Sequence, residues 1–355
     1  METRKTKTRI SWIDVARGLC IIAIVLGHVF SDGYLRWCLY SFHVPAFFLL
    51  SGLCYKESTS FQKFFIKKFK KIVVPYLFWS LFSIVLFMIA GNFVSGLKDV
   101  VSNSFVQNIT EMLYANSKPE KMRYNLPLWF LPCFFSTNVI IFIEEMIAKH
   151  FSKWIRVIFI IICVLLGYLF SLYEEIALPW HFETSFSMAV WFVLGIIIKE
   201  RADFSRIQNG VYILISFALI ISGISCSFLN IRTVGVRNEH YGIIIVYYFS
   251  AILTIIGVIL LSVMIKQCKI IEYIGKNSIA ILIFHKFPIL FFQHFVCIVE
   301  RALKEPNSLN GIVVGVVVAF ISIAISLVGA AIVKKILPWS LGIQKLQNIK
   351  SYVEV

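Results

Sequence analysis

The chain has 355 residues, 59% of them hydrophobic and 15% charged, with a formal net charge of +15. The apolar share lies above the roughly 45–50% of a soluble domain, and the charged share lies below its usual ~25%. A water-soluble fold is excluded, and the basic excess points to the charge bias of membrane proteins rather than to nucleic acid.

In chain order, the basic stretch METRKTKTR precedes an apolar run at 10–30. A secretory signal would have a shorter apolar core and a small-residue cleavage site. This run carries Asp14 and Arg17 and reads as a retained first span. Nine further runs follow at 36–55, 72–90, 127–147, 154–172, 184–198, 209–229, 241–265, 277–297 and 311–333. A helix rising 1.5 Å per residue needs about 20 apolar residues to cross a hydrocarbon layer about 30 Å thick. The expected fold is therefore an all-α integral membrane bundle of about ten transmembrane helices. It forms one domain, 1–355, with no fused extracytoplasmic domain. The run at 184–198 is the shortest and abuts the polar stretch WHFETS, so an eight- or nine-span reading would merge or drop it.

Lys and Arg crowd alternate connections, with four in 1–9 and six in 56–71 against none in 173–183. The positive-inside rule then places both termini in the cytoplasm. In 56–71, KESTSFQKFFIKKFKK, lysines 63, 67, 68, 70 and 71 interleave with Phe61, Phe64, Phe65, Ile66 and Phe69. At helical spacing this gives an apolar and a basic side suited to the headgroup layer, either as an ordinary anchor or as a site for an anionic cofactor. The longest connection, 91–126, falls outside on this topology; taken alone it reads as a bland loop, though it carries aromatic and amide side chains able to meet a polar acceptor. The eight cysteines form no CxxC pair and read as small apolar membrane residues, so no metal is expected.

Ionisable residues inside the spans carry the functional signal. A charge at helix centre costs roughly 2.5–3.5 kcal/mol on insertion scales, so such groups face a protein interior or an aqueous cavity. Asp14 and Arg17 are three apart on one helix face and can pair. His28 follows Arg17 by eleven residues, about 16 Å further along the same side. His43 lies in the second run, and His285 with Lys286 in the ninth. Together they predict a polar cavity; proton translocation would ordinarily add Asp or Glu deep in the spans. Blander readings stand beside this one: His43 satisfying carbonyls freed by Pro45, Trp129 as an interfacial anchor, and Ser51 and Gly52 as packing residues. Arg232, Arg237, Glu239 and His240, in the fourth outer loop, could bind the acceptor, with a solvated loop as the blander reading.

Five motifs occur in order: DVARGLCIIAIVLGH at 14–28, FHVPAFFLLSG at 42–52, KKFKKIVVPY at 67–76, LWFL at 128–131, and S-x6-H at 278–285. In this order they resemble the transmembrane acyltransferase family 3, and within it the single-domain branch similar to fucose 4-O-acetylases. The resemblance implies transfer of an acyl group, usually acetyl, in a bacterial cytoplasmic membrane. The donor would be acetyl-CoA or another acyl-CoA in the cytoplasm. The acceptor would be a sugar hydroxyl of a cell-envelope polysaccharide or of its polyprenyl-linked precursor, with no nucleic acid involved. It implies His28 as general base or covalent acyl carrier, held in a constellation with Asp14 and Arg17. Arg17, Lys67, Lys68 and Lys71 would meet the CoA phosphates, although the family's basic pair is more often arginine. His43, Trp129, His285 and Lys286 would line the acceptor site. The alternative class is an exporter of a surface polysaccharide or lipid-linked glycan unit, which has no need of the Arg17 and His28 pair.

Overall fold

The computed structural model describes residues 10–343 apart from 59, 95–96, 98–99, 102–103, 119–120, 152–153 and 266–267. The basic residues of 1–9 and parts of the 91–126 connection lie outside the described residues. Those described form α-helices and no β-strand. In order they are α1 (Ser11–Val29), α2 (Tyr34–Tyr40), α3 (His43–Leu53), α4 (Phe61–Lys68), α5 (Val74–Ala90), α6 (Phe105–Tyr114), α7 (Phe130–Ala148) and α8 (Trp154–Leu172). The second half adds α9 (Phe182–Arg201), α10 (Val211–Ser227), α11 (Ile244–Ile265), α12 (Lys269–Lys276), α13 (Ser278–Phe284), α14 (Lys286–Phe295), α15 (Cys297–Leu303) and α16 (Leu309–Ile336).

Eight segments among the described residues are long and apolar enough to cross a membrane, and α10 is a shorter apolar helix. The run at 36–55 does not form one span. It breaks at Ser41 and Phe42 into α2 and α3, with Pro45 in the first turn of α3, where a missing N–H costs no intrahelical bond. The run at 184–198, the shortest in sequence, grows to the 20 residues of α9. Its polar start is taken in because Glu183, Thr184 and Ser185 find buried partners instead of water. The 91–126 connection is not a simple loop either: it contains α6 and ends in a turn that buries Tyr124 and Asn125.

The site depends on α1, which packs against α2, α3, α11, α12, α13 and α16. Protein buries 67% of its apolar window, against 11% for α8, whose Ile158, Ile161, Ile162 and Leu165 face outward. A helix buried this fully has room for polar side chains that the peripheral one has not. Small residues bring the backbones together. A Cβ on Gly275 of α12 would collide with the Asp14 carbonyl, and Cβ atoms on Gly52 and Gly195 would strike the Phe192 and Leu49 carbonyls where α3 crosses α9. Gly52 therefore packs as expected, while the Ser51 hydroxyl donates to the Phe47 carbonyl at 2.7 Å. A π-helical turn, Phe69–Val73, joins α4 to α5.

Candidate active site

His28 sits in the last turn of α1, and His285 in the turn between α13 and α14. Pro288, three residues on, lacks the N–H that would close a regular helix onto Phe284. The two rings stack with centroids 5.0 Å apart and an interplanar angle of 9°. His28 Nδ1 lies 2.7 Å from His285 Nε2, and His285 Nδ1 lies 2.7 Å from the Ile281 carbonyl. A carbonyl only accepts, so in the neutral pair His285 carries its proton on Nδ1 and accepts at Nε2. His28 must then donate from Nδ1, which leaves the lone pair on its Nε2. Hydrogen-bond logic thus assigns both tautomers.

His28 opens on a cavity of about 300 Å³, at the lower end of the small-molecule range. Its walls come from α1, α2, α3, the start of α7, the 233–240 connection and the α13–α14 pair. His43, Trp129 and Lys286 line it with His28, while His285 stands behind His28. His43 Nδ1 donates to the Leu39 carbonyl at 2.5 Å, capping α2, and its ring meets Tyr40 edge-on at 4.8 Å. This is the carbonyl-satisfying role weighed for His43, held at the cavity wall. Trp129 is buried, edge-on to His181 at 5.2 Å, rather than placed as an exposed anchor.

The remaining proposed residues lie elsewhere. Arg17 Nη1 is 3.6 Å from the buried Asp14 carboxylate, and Nη2 is 3.5 Å from Cys54 Sγ. Lys68 donates to Asn138 at 2.5 Å, while Lys67 and Lys71 are exposed. None of these five lines the cavity. Asp14 and Arg17 thus stand at one end of α1 and His28 at the other, while Lys67, Lys68 and Lys71 belong to the α4–α5 segment.

Sequence reasoning passed over Arg36 and Tyr40, which lie where a span was expected to begin. Arg36 Nη1 donates to the Phe30 carbonyl at 2.6 Å, at the C-terminus of α1, and its guanidinium carbon lies 4.2 Å from the Tyr40 ring centroid. The 230–240 connection is solvated only at Ile231 and Arg232, while Arg237 and His240 line the cavity. Glu239 is fully buried, in contact with Lys118 Nζ and with the Thr184 hydroxyl, and Lys118 also lies 3.7 Å from Glu183. Asn116 donates to Glu183 at 2.7 Å, and Arg237 donates to the Ser117 carbonyl at 3.2 Å while lining the cavity. Burial pushes the Glu239 carboxyl up to about 7, against the pull of the Lys118 ammonium. At the rim, His240 Nε2 lies 2.7 Å from Glu174. Burial lowers the His240 imidazole from its usual value, with Glu174 acting the other way. The cues in sequence were a Glu opening an apolar run, for Glu183, and none for Lys118.

Among the described residues no group of three or more His, Cys, Asp or Glu side chains is placed to hold a metal ion. A sequence profile of a family described as an acyltransferase domain, acyltransferase family 3, matches residues 10–331. No curated protein and no solved structure matches the chain.

Proposed function

The chain belongs to acyltransferase family 3, and from that premise we propose that this membrane acyltransferase moves an acetyl or related acyl group from cytoplasmic acyl-CoA to a sugar hydroxyl of a cell-envelope polysaccharide or its polyprenyl-linked precursor. The observation that carries the reading is the hydrogen-bonded series from the Ile281 carbonyl through His285 to His28, which presents a basic nitrogen to a small cavity.

Acyl transfer from a thioester to an alcohol needs that group. The acceptor hydroxyl gives its proton to His28 Nε2 as its oxygen attacks the thioester carbonyl. The new C–O bond forms, the tetrahedral intermediate collapses, and the C–S bond breaks. The departing coenzyme A thiolate then takes the proton back from the His28 imidazolium. His285 accepts from Nδ1–H throughout, holding the tautomer and stabilising the imidazolium, as the third member of a triad orients its base. General base catalysis of this kind contributes about 10²- to 10⁴-fold.

At the other end of α1, Arg17, Lys67, Lys68 and Lys71 are proposed to receive the coenzyme A phosphates, with Asp14 holding Arg17. An extended pantetheine arm would bridge the roughly 16 Å that eleven helical residues put between Arg17 and His28. This orientation places both termini in the cytoplasm, and the Lys and Arg distribution supports it. Reporters inserted in 56–71 should read inside, and those in 174–176 outside.

The test is His28→Ala in proteoliposomes supplied with labelled acetyl-CoA and glycan. Loss of transfer with unchanged acyl-CoA binding is expected. Without acceptor the wild type should remain unlabelled, because the base acts directly on the hydroxyl; a stable acyl-protein would make His28 a covalent carrier. Full transfer by a well-inserted His28→Ala protein would overturn the assignment.

A further inference from the structure

The cavity in front of His28 is lined by three cations, Arg36, Arg237 and Lys286, and by no Asp or Glu. Among the described residues no carboxylate pairs with Arg36 or Lys286. The Arg36 guanidinium is met at Nη1 by a backbone carbonyl and over one face by an aromatic ring, contacts that leave its charge standing. Two carboxylates border the cavity wall, and both are already engaged. Glu239 contacts Lys118, and Glu174 serves His240 and Arg232 at the rim.

Two cations elsewhere in the bundle are paired with carboxylates. Lys118 has Glu183 and Glu239, and Arg156 lies within 3.5 Å of each of Glu144, Glu145 and Glu200. Uncompensated cations in a low-dielectric setting are expensive. Their cost is recovered only when an anion binds between them.

We infer that the acceptor carries an oxyanion, a phosphate or a carboxylate, which Arg36 and Lys286 hold beside the hydroxyl that His28 deprotonates. The inference rests on the acyl-transfer reading of this cavity. The anion is not a coenzyme A phosphate, since the groups proposed for those phosphates, Arg17 and Lys68, lie outside the cavity. An arginine fork fixes a planar or tetrahedral oxyanion in orientation, and a lysine adds a mobile point charge. A sugar so anchored turns one particular hydroxyl toward His28. A neutral sugar would leave both half-buried cations stranded, and a site built around such charged groups discriminates strongly against a ligand that cannot satisfy them.

Calorimetry on the full chain in lipid nanodiscs tests this with glucose 1-phosphate, glucuronate and glucose, each with and without saturating coenzyme A. At least one anion should bind at least tenfold tighter than glucose, and the tighter of the two names the source of the oxyanion. Lys286→Gln should remove that advantage, Lys286→Arg should keep it, and coenzyme A should not displace the anion. Equal binding of all three sugars overturns the inference. So does displacement by coenzyme A, which would give the cations to the donor, or undiminished anion binding by Lys286→Gln. If the anion binds as stated but no acetyl group from acetyl-CoA reaches a sugar hydroxyl, the acyl-transfer reading falls while the anion site stands.

Discussion

Lys118 contacts the 233–240 connection and Lys286 shares a cavity with it, and the protein surrounds them differently. Lys118 lies against Glu183 and Glu239 in a network that includes Asn116 and Thr184. Lys286 faces a cavity whose other charged walls are also positive. The first arrangement ties three distant stretches of chain together, at 116–118, 183–184 and 239, and so fixes the wall that carries Arg237. The second gives up stability for an open position. At Lys118 a cation is paired for architecture, and at Lys286 an unpaired charge is left free for chemistry.

The sharpest break of that contrast is a pair of isosteric substitutions. Lys118→Met strands two buried carboxylates and should cost about 3–5 kcal/mol. Lys286→Met removes an unmatched charge and should leave stability unchanged or raise it. Thermal unfolding in one detergent compares them, and equal losses would erase the distinction. Within the cavity, His285→Ala removes the acceptor for the His28 Nδ1–H. The expected result is a fall in kcat of about 100-fold with the acyl-CoA KM unchanged, read from initial rates.

The paired region also predicts a pH dependence. Glu239 is held near 7 against an ordinary 4.5, so between those values the unfolded chain gives up its proton while the folded chain keeps it. Stability should therefore fall as pH rises through that window, by at most about 1.4 kcal/mol per pH unit. Glu239→Gln should flatten that slope, and a slope unchanged by the substitution would place the titration elsewhere. The smallest effect belongs to the exposed basic face. Lys67→Gln with Lys71→Gln should raise the acyl-CoA KM about two- to fivefold at low salt, a difference that fades near 1 M salt, where screening reaches about 3 Å.

His28, His285 and Lys286 were legible in the sequence because a titratable group in an apolar run stands out against its neighbours. Their meeting was not. His28 and His285 are 257 residues apart, and no spacing rule reaches across a tertiary contact. Arg36 and Tyr40 were hidden because the run at 36–55 reads as one span, whereas Pro45 and the break at Ser41 and Phe42 make it two short helices whose junction faces the cavity. Lys118, Glu183 and Glu239 were hidden for the opposite reason. Charged residues in connections look solvated, and only their mutual burial reveals that the segments fold back into the bundle. The apolar helices themselves were the plainest feature, since their length is dictated by the thickness they must cross.

The π-helical turn at Phe69–Val73 has a consequence for insertions and deletions. A π turn carries one residue more than an α turn, and each residue advances a helix by about 100°. The lysines of α4 and the buried side of α5 therefore lie out of phase with a single helical wheel drawn across both. On α5, the Tyr76 hydroxyl donates to the Met112 carbonyl at 2.7 Å and Trp79 Nε1 to the Ser340 carbonyl at 2.8 Å, which locks that helix in azimuth. Deleting one residue within 69–73 would restore regular winding and swing Lys67 and Lys68 by about a quarter turn relative to this fixed partner. Lys68 would leave Asn138 while the bundle stayed seated. Chain length at this point acts as a phase setting, tuned in steps of one residue, for where the basic face points.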